Sequence, residues 1–294
     1  MAKKRTTKPR KTRAKKKDNS GLIYAILAFV ALLVFSFGYH YRHGIKLYTC
    51  TKFSIFCSGI SIDSNAEMGC KPSNRTISRF NIRNIELIDK NKEFIYGIDV
   101  SQYQGSINWE EIVCIEDMQA IQFVIVRATA GTNKVDAAFD ENWKQTRKNK
   151  FIRGAYHYYR PDEDPVDQAN NFVQNVNLKS GDLPPILDIE VDPKVISHEQ
   201  LFKNIKIWMA LVENHYKMKP ILYSGQKFHE KHLIHYFGDY PLWIANYNFF
   251  VEKIKPEWMM WQFTEKGYVN GIKTPVDVNM FQGSYEDLVS FTKK

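Results

Sequence analysis

LPPILDIE, residues 183–190, is an apolar run that ends in two acids. The apolar part predicts a buried strand, and alternate side chains of a strand point to the same face. Asp188 and Glu190 would therefore lie side by side, roughly 6–7 Å apart along the strand. Their mutual repulsion and partial burial would raise the pKa of at least one of them, as a general acid requires. This stretch thus predicts a buried sheet with a functional pair of carboxylates at its end.

Seven other short apolar runs share this pattern, and helix-like segments separate them. The predicted strands are Phe94–Val100, Gln122–Ala128, Gly154–Tyr159, Pro185–Glu190, Pro220–Ser224, Leu242–Tyr247, Met259–Phe263 and Val276–Phe281. The predicted helices are Trp109–Met118, Ala138–Lys148, Asp167–Asn177, His198–His215 and Lys227–Tyr236. Because such alternation is typical of a parallel sheet with helical crossovers, residues 94–290 are expected to form an α/β fold, an irregular TIM-like (β/α) barrel.

Acidic side chains recur near the ends of the predicted strands. Asp99 comes late in the first strand, and Asp277 belongs to the last. Barrel enzymes build their active sites at the C-terminal ends of the strands, so these two acids and the pair above would meet in one mouth. The predicted catalytic residues are Glu190, Asp188, Asp99 and Asp277. The predicted substrate-binding residues are Tyr156, Tyr158, Tyr223, Trp243, Asn246, Trp261, Gln262 and Asn279. Core packing is the competing interpretation for the two tryptophans, and His157 is interpreted as structural.

Acids and aromatic residues without nearby cationic partners indicate sugar chemistry. Glycoside hydrolysis needs one carboxyl group to protonate the leaving oxygen and a second group to stabilise or attack the oxocarbenium centre. A metal site is the competing use of four acids, but no local Asp/Asn ladder or His pair accompanies them. The segment Tyr223-Ser224-Gly225 lacks the flanking glycine of a nucleophile elbow. We therefore expect a glycosidase with no metal and no cofactor.

The net charge of +9 is confined to the N-terminal arm, residues 1–20, which holds ten Lys and Arg and one acid. Residues 21–39 carry no charge and would span about 28 Å as a helix, close to the roughly 30 Å of a hydrocarbon core. These features predict a single-pass membrane protein with a cytoplasmic N-terminus and a periplasmic or extracellular catalytic domain. The alternative is a cleaved signal peptide with Ser36-Phe37-Gly38 as its cleavage site. The orientation of the predicted membrane span is a sufficient explanation for the positive charge of the arm, so no nucleic-acid partner is expected.

Residues 40–93 lack sustained periodicity and are predicted to form a cysteine-containing stalk. Cys50, Cys57 and Cys70 lie in it, and small exported segments often use disulfides in place of a core. One bridge within the stalk is expected, for example Cys50–Cys57, although connectivity cannot be deduced from sequence. Cys114 lies in an apolar, helix-like stretch and is interpreted as an inert core residue.

A series of motifs resembles glycoside hydrolase family 25, the Chalaropsis-type lysozymes or N-acetylmuramidases. The opening block is YGIDVSQYQG (residues 96–105), followed by Ile107-Asn108-Trp109. The later blocks are Arg127-Ala128-Thr129 with Gly131, Gly154-Ala155-Tyr156-His157-Tyr158, Asp188-Ile189-Glu190, Leu222-Tyr223-Ser224, Leu242-Trp243-Ile244-Ala245, Trp261-Gln262-Phe263 and Asp277-Val278-Asn279-Met280-Phe281. They occur in the family's order over about residues 95–285. Family members often carry Glu where this chain has Ala130.

The resemblance implies an irregular (β/α) barrel that cleaves the β-1,4 bond between N-acetylmuramic acid and N-acetylglucosamine. It implies that Glu190 is the general acid and Asp188 its partner, while Asp99 and Asp277 shape the electrostatics and hold the sugar or a water. Two routes stay open: attack by the substrate's own acetamido oxygen, oriented by Asp188, or direct activation of water by Asp188 or Asp277.

Two functional alternatives remain beside the muramidase. One is a wall-binding scaffold that kept the fold but lost turnover, and the other is a hydrolase of another amino-sugar polymer. The intact acids argue against the scaffold but do not distinguish the polymers. The expected partners are peptidoglycan glycan strands, and the membrane through residues 21–39. Protein partners cannot be named from the sequence.

Overall fold

The computed structural model describes residues 20–42, 44–45, 48–49, 70 and 79–294. Its centre is a barrel of eight strands. The strands in chain order are β1 (Ile95–Val100), β2 (Cys114–Ile115), β3 (Gln119–Ala120), β4 (Phe123–Ala130), β5 (Lys134–Val135), β6 (Ile152–Tyr158), β7 (Ile186–Asp188), β8 (Ile221–Gly225), β9 (Leu242–Ala245), β10 (Met260–Gly267) and β11 (Val276–Phe281). Strands β1, β4 and β6 to β11 form the barrel, which closes because β1 pairs with both β4 and β11. The predicted barrel is confirmed.

The last strand breaks the parallel pattern. β11 runs antiparallel to both β10 and β1, whereas the other barrel neighbours are parallel. No helix separates β10 from β11, so the connection is a hairpin, which only antiparallel strands can use. As a result, the N-terminal end of β11 meets the C-terminal ends of the other strands. Asp277 pairs directly with Asp99 across β1 and β11.

Side chains alternate between two apolar layers. On β4, Phe123 and Ile125 pack inside the barrel, while Val124 and Val126 pack in the layer between the barrel and its helices. The surrounding helices are Phe139–Lys148, Pro165–Asn175, His198–Tyr216 and Tyr285–Ser290, with a short helix Gln226–Phe228 that leads into the π-helical turn His229–Leu233. This period of two also turns Asp188 toward the barrel interior.

The predicted helix Trp109–Met118 is wrong. Residues Trp109–Glu111 form one 3-10 turn, and β2 and β3 then form a small antiparallel hairpin. The turn of that hairpin places Glu116 and Asp117 in the left-handed region, with φ of 52° and 62°. A right-handed helix cannot include two such residues, although the apolar spacing resembles that of a helix.

Cys114 is also not the inert core residue that we expected. It lies on β2 and forms a disulfide with Cys70, 44 residues earlier in the chain. Sequence spacing could not identify this pair, because the two cysteines meet only after the hairpin docks. The expected Cys50–Cys57 bridge lies outside the described residues.

Part of the predicted stalk belongs to the folded domain. Helix Arg79–Lys90 lies within residues 40–93, and its Leu87 and Ile88 enter the main core. The buried Arg83 donates from Nη1 to the carbonyl of Phe263 on β10 at 2.6 Å. Burial lowers the pKa of Arg83 to about 10, so this contact is made by a desolvated guanidinium. The helix therefore packs on the barrel, and the folded domain starts before residue 94.

Residues Ser20–His40 form a helix. Among the described residues, no helix combines the length and the hydropathy that a membrane crossing requires. The predicted membrane-spanning helix 21–39 is therefore not confirmed, and the basic arm before it lies almost entirely outside the described residues.

Candidate active site

A cleft of about 360 Å³ opens at one end of the barrel, and it contains all four predicted catalytic acids. Its walls also include several of the predicted substrate-binding residues. The residues that line the cleft are Asp99, Ser101, Tyr103, Gln104, Arg127, Tyr156, Tyr158, Asp188, Glu190, Tyr223, Trp243, Tyr247, Gln262, Glu265 and Asp277. All eight barrel strands thus contribute side chains to one acidic, tyrosine-rich cavity, and the four acids meet there as the sequence predicted.

Asp99 is held on the floor of the cleft by two amides. Gln262 Nε2 and Asn279 Nδ2 each donate to Asp99 Oδ2 at 2.8 Å. The acceptor ends of these amides are occupied, since Tyr223 donates to Gln262 Oε1 at 2.7 Å and Trp243 donates to Asn279 Oδ1 at 2.9 Å. The neighbouring aromatic donors therefore force the N–H ends of both amides toward Asp99.

Asp99 and Asp277 form a cross-strand pair of carboxyl groups. Burial raises the pKa of Asp99, although the hydrogen bonds from Asn279 and Gln262 oppose this. The pKa of Asp277 is raised further, first by burial and then by the charge of Asp99. Ionising both carboxyl groups would be costly, because the two negative charges would repel each other at this short separation. Asp277 therefore keeps its proton at neutral pH and Asp99 carries the charge.

Asp188 lies at the end of β7 and is buried, with 6% of its surface exposed. Its Oδ1 has no hydrogen-bond partner among the described residues. Burial raises its pKa well above the usual range, and the charges of Glu190 and Asp99 act in the same direction, while Arg127 opposes them. A buried carboxyl oxygen without a partner is costly, so this atom is suited to receive a polar group of a ligand.

Glu190 follows β7 by two residues and stands at the mouth of the cleft. Its side chain reaches solvent, but the cleft walls desolvate it enough to raise its pKa. The nearby hydroxyl of Tyr223 lowers the pKa of Glu190, and the charge of Asp99 raises it. The net effect is a carboxyl that holds its proton at a higher pH than an ordinary glutamate. This is the property expected of a general acid.

The tyrosines supply donors and flat faces to the cleft. Tyr156 and Tyr158 follow each other on the inner side of β6, and Tyr223 lies on β8 with its ring centre 4.4 Å from that of Trp243. Burial raises the pKa of all three phenols, and the nearby carboxylates raise it further. Each hydroxyl therefore stays protonated and can donate a hydrogen bond. The structure brings these four predicted residues together.

Three predicted substrate-binding residues do not line the cleft. Trp261 is fully buried and faces the outer layer, where its Nε1 donates to the carbonyl of Asn246 at 2.8 Å. Asn246 is half-buried and accepts from the backbone N–H of Asn248 at 2.8 Å. Asn279 is fully buried and supports Asp99. Strand alternation explains the first case, because Trp261 and Gln262 are neighbours and must point to opposite faces.

His157 is structural, as the sequence interpretation held. It is fully buried, with Thr129 Oγ1 2.7 Å from Nδ1 and Gln168 Oε1 3.2 Å from Nε2. Burial lowers the pKa of His157 to about 4, so the ring is neutral. Nε2 then donates to Gln168, and Nδ1 accepts from Thr129.

The cleft also contains a cation that the sequence did not predict. Arg127 lies on the inner side of β4, bonds to Asp136 Oδ2 at 2.6 Å and packs its guanidinium 4.6 Å from the ring centre of Tyr103. Burial opposes its charge, but Tyr156 and Asp136 outweigh it and raise the pKa of Arg127. The expectation of acids without cationic partners is therefore wrong. The alternation Phe123, Ile125, Arg127 was the available indication that this side chain points inward.

A second cavity of about 480 Å³ continues from the cleft. The two cavities share Tyr103, Arg127 and Tyr158 as a common wall. Ala130 lies in the second cavity, together with Lys134 and Arg160. The Ala130 position that departs from the family pattern is therefore beside the acidic cleft and not within it.

One further group matters for metal chemistry. Among the described residues, one group of three or more His, Cys, Asp or Glu side chains is placed to hold a metal ion. It consists of Asp192, His198 and His232. None of them is one of the four acids of the cleft. The sequence predicted no metal site.

Comparisons with known proteins agree with this fold. A family model, "Glycosyl hydrolases family 25", matches residues 98–272. The uncharacterized protein YegX of Escherichia coli K12 is 39% identical over 203 residues, 67% of this chain and 73% of YegX. Lysozyme M1 of Streptomyces globisporus is 28% identical over 247 residues, 79% of each chain. The structure of a family 25 glycosyl hydrolase from Bacillus anthracis covers 69% of this chain and 95% of its own, with 28% identity and a TM-score of 0.62. Since the family model spans more than half of the sequence, this chain belongs to the glycosyl hydrolases of family 25.

Proposed function

We propose that the protein is a muramidase that cleaves the β-1,4 bond between N-acetylmuramic acid and N-acetylglucosamine in peptidoglycan. The observation that carries the proposal is the convergence of Asp99, Asp188, Glu190 and Asp277 in one tyrosine-lined cleft. The similarity to Lysozyme M1 supports the same substrate class. Glycosidases use a pair of carboxyl groups at the scissile bond, and this cleft holds four carboxyl groups from which that pair can come.

Glu190 acts as the general acid. Its raised pKa keeps a proton available, and its position at the mouth lets it reach the glycosidic oxygen of a glycan that lies across the cleft. Proton transfer to that oxygen lets the sugar on one side of the bond leave as an alcohol. Positive charge develops on the ring of the other sugar, which remains in the cleft. The ionised Asp99 on the floor stabilises this charge electrostatically.

Asp188 orients the acetamido group of the sugar. Its partner-free Oδ1 accepts the acetamido N–H, which turns the acetamido carbonyl oxygen toward the anomeric carbon for attack. Attack by this oxygen closes a five-membered ring on the sugar as the glycosidic bond breaks. Water then opens that ring at the anomeric carbon, and Glu190, now ionised, takes the proton of that water. Direct activation of water by Asp188 is the competing route, and it needs no acetamido group on the substrate.

The products of digestion test the function. Purified peptidoglycan is incubated with the full-length chain, and the new reducing ends are identified by mass spectrometry. We expect reducing-end muramic acid from the wild type and from Glu286→Gln, an exposed control on the last helix, and its release at least about 10²-fold slower from Glu190→Gln. Reducing-end glucosamine would move the assignment to another amino-sugar bond. Binding without release by the wild type would favour the scaffold.

We also propose that residues 21–39 anchor the protein in a membrane, with residues 1–20 in the cytoplasm and the barrel in the periplasm or outside the cell. The ten Lys and Arg before the uncharged segment support this orientation. The Cys70–Cys114 disulfide agrees with an oxidising compartment. Protease treatment of intact spheroplasts should degrade the barrel, and mass analysis of the membrane fraction should find the N-terminal arm attached. A chain that begins after Gly38 would instead establish a cleaved signal peptide.

A further inference from the structure

Three side chains from three segments converge beside the catalytic loop. Asp192 follows Glu190 by two residues, His198 begins the helix His198–Tyr216, and His232 lies in the π-helical turn. Asp192 Oδ1 is 2.8 Å from His198 Nε2 and 3.2 Å from His232 Nε2. The two imidazole rings are parallel, with centres 4.3 Å apart and planes 7° apart. One carboxylate oxygen thus faces two ring nitrogens.

This geometry fits the ligand set of a transition metal. One ligand atom from each side chain lies within 4.8 Å of the other two. A tetrahedral Zn²⁺ with bonds of about 2.0–2.2 Å holds its ligand atoms roughly 3.3–3.6 Å apart. Because the two rings are parallel, at least one imidazole must rotate out of the stack before both nitrogens can point at one ion, and water would complete the coordination. Two imidazoles favour zinc over calcium or magnesium, which prefer oxygen ligands.

The backbone around the group is fixed before any ion binds. Asp162 accepts from the backbone N–H groups of Lys194, Val195 and Ile196 at 2.9–3.2 Å, which holds the loop after Asp192. His232 sits in a π-helical turn, a rare conformation that occurs often at functional sites. The loop, the helix start and the turn are therefore positioned to present their ligands together.

We propose that Asp192, His198 and His232 form a Zn²⁺ site that fastens the loop behind Glu190 to the two segments packed beside it. The ion is bound by two imidazole nitrogens and one carboxylate oxygen, with water in the open position. The site lies outside the acidic cleft and takes no part in bond cleavage. Its occupancy sets how firmly the loop that carries the general acid is held.

Zinc titration of the full-length chain tests the site. The purified chain is stripped with a chelator, and binding of Zn²⁺ alone is measured by calorimetry. We expect one ion per chain. The ligand variants His232→Ala and Asp192→Asn should each lose at least about tenfold in affinity, since even outer contacts of metal sites cost 10–100-fold. The control His235→Ala, an exposed histidine of the same segment, should bind like the wild type.

Several results would overturn the site. They are the absence of saturable binding, unchanged affinity in both ligand variants, or an equal loss in His235→Ala. Asp192→Asn keeps the shape of the side chain, so it reports on the ligand even where His232→Ala folds poorly. Zinc binding is scored without any glycan, so failure here is distinct from failure of the muramidase proposal.

Discussion

The cleft holds two pairs of carboxylates, and their surroundings differ. Asp99 and Asp277 face each other across β1 and β11, and Asp99 is fixed by two amide donors whose own acceptors are occupied. Asp188 and Glu190 come from the end of a single strand, and Asp188 has an oxygen without a partner among the described residues. In the first pair, Asp99 is already satisfied by the protein. In the second pair, Oδ1 of Asp188 is free for substrate, which separates a supporting role from a reacting one.

The largest effect should come from the second pair. Glu190→Gln removes the transferable proton but keeps the size of the side chain, so we expect kcat to fall by about 10²–10⁴-fold. Initial rates on purified peptidoglycan measure this change. A rate within threefold of wild type would remove Glu190 from the role of acid.

Asp188→Asn should have the next largest effect, a loss of about 10²–10³-fold in kcat, because the contact that orients the reacting group is weakened. A de-N-acetylated glycan separates the two routes. Under substrate assistance, the wild type should not cleave it. Cleavage at the normal rate would favour direct activation of water by Asp188.

Asn279→Leu tests the supporting network through stability. The change leaves Trp243 Nε1 without its acceptor and removes one donor from Asp99. Unsatisfied buried groups cost about 1–3 kcal/mol each, so denaturant unfolding should show a loss of this order. A neutral result would mean that the amide is not needed to hold Asp99. Asn214→Leu, on the exposed side of a helix, is the matched control.

Asp277→Asn should have the smallest effect on rate, about tenfold or less by the scale of a single lost neutral contact. Asp277 is already neutral at pH 7, and asparagine is neutral and can still donate to Asp99. A loss as large as that of Asp188→Asn would contradict the division between the pairs.

The same variant makes a prediction about pH. The fold raises the pKa of Asp277 to about 9, above the value of about 3.9 in an unfolded chain. The folded state therefore binds more protons, and stability falls as the pH rises from about 4 toward 9. The variant Asp277→Asn has no ionisable group at this position, so its folded state does not lose stability in this way as the pH rises. Thermal melts should thus show that the variant gains stability relative to wild type between pH 5 and pH 8.

The sequence predicted the barrel and the four acids because period-two apolar runs determine which side chains share a face. The same rule applied residue by residue would have turned Trp261 outward and Arg127 inward. Asn279 was predicted to bind substrate, but in the structure it supports Asp99. This role depends on the indole N–H of Trp243, which lies on a different strand. The Cys70–Cys114 disulfide and the cluster at Asp192 could not be predicted, because both join segments that are distant in sequence and have no common periodicity.

The Cys70–Cys114 bridge also determines how the domain carries mechanical load. The bridge closes a covalent loop that contains the helix Arg79–Lys90 and strand β1. A force applied to the chain before Cys70 is transmitted through the disulfide to the β2–β3 hairpin. The backbone between Cys70 and Cys114 does not carry this force. Asp99 lies on the bypassed strand. Tension from a tethered N-terminus would therefore reach the barrel without stretching the strand that carries the floor of the cleft.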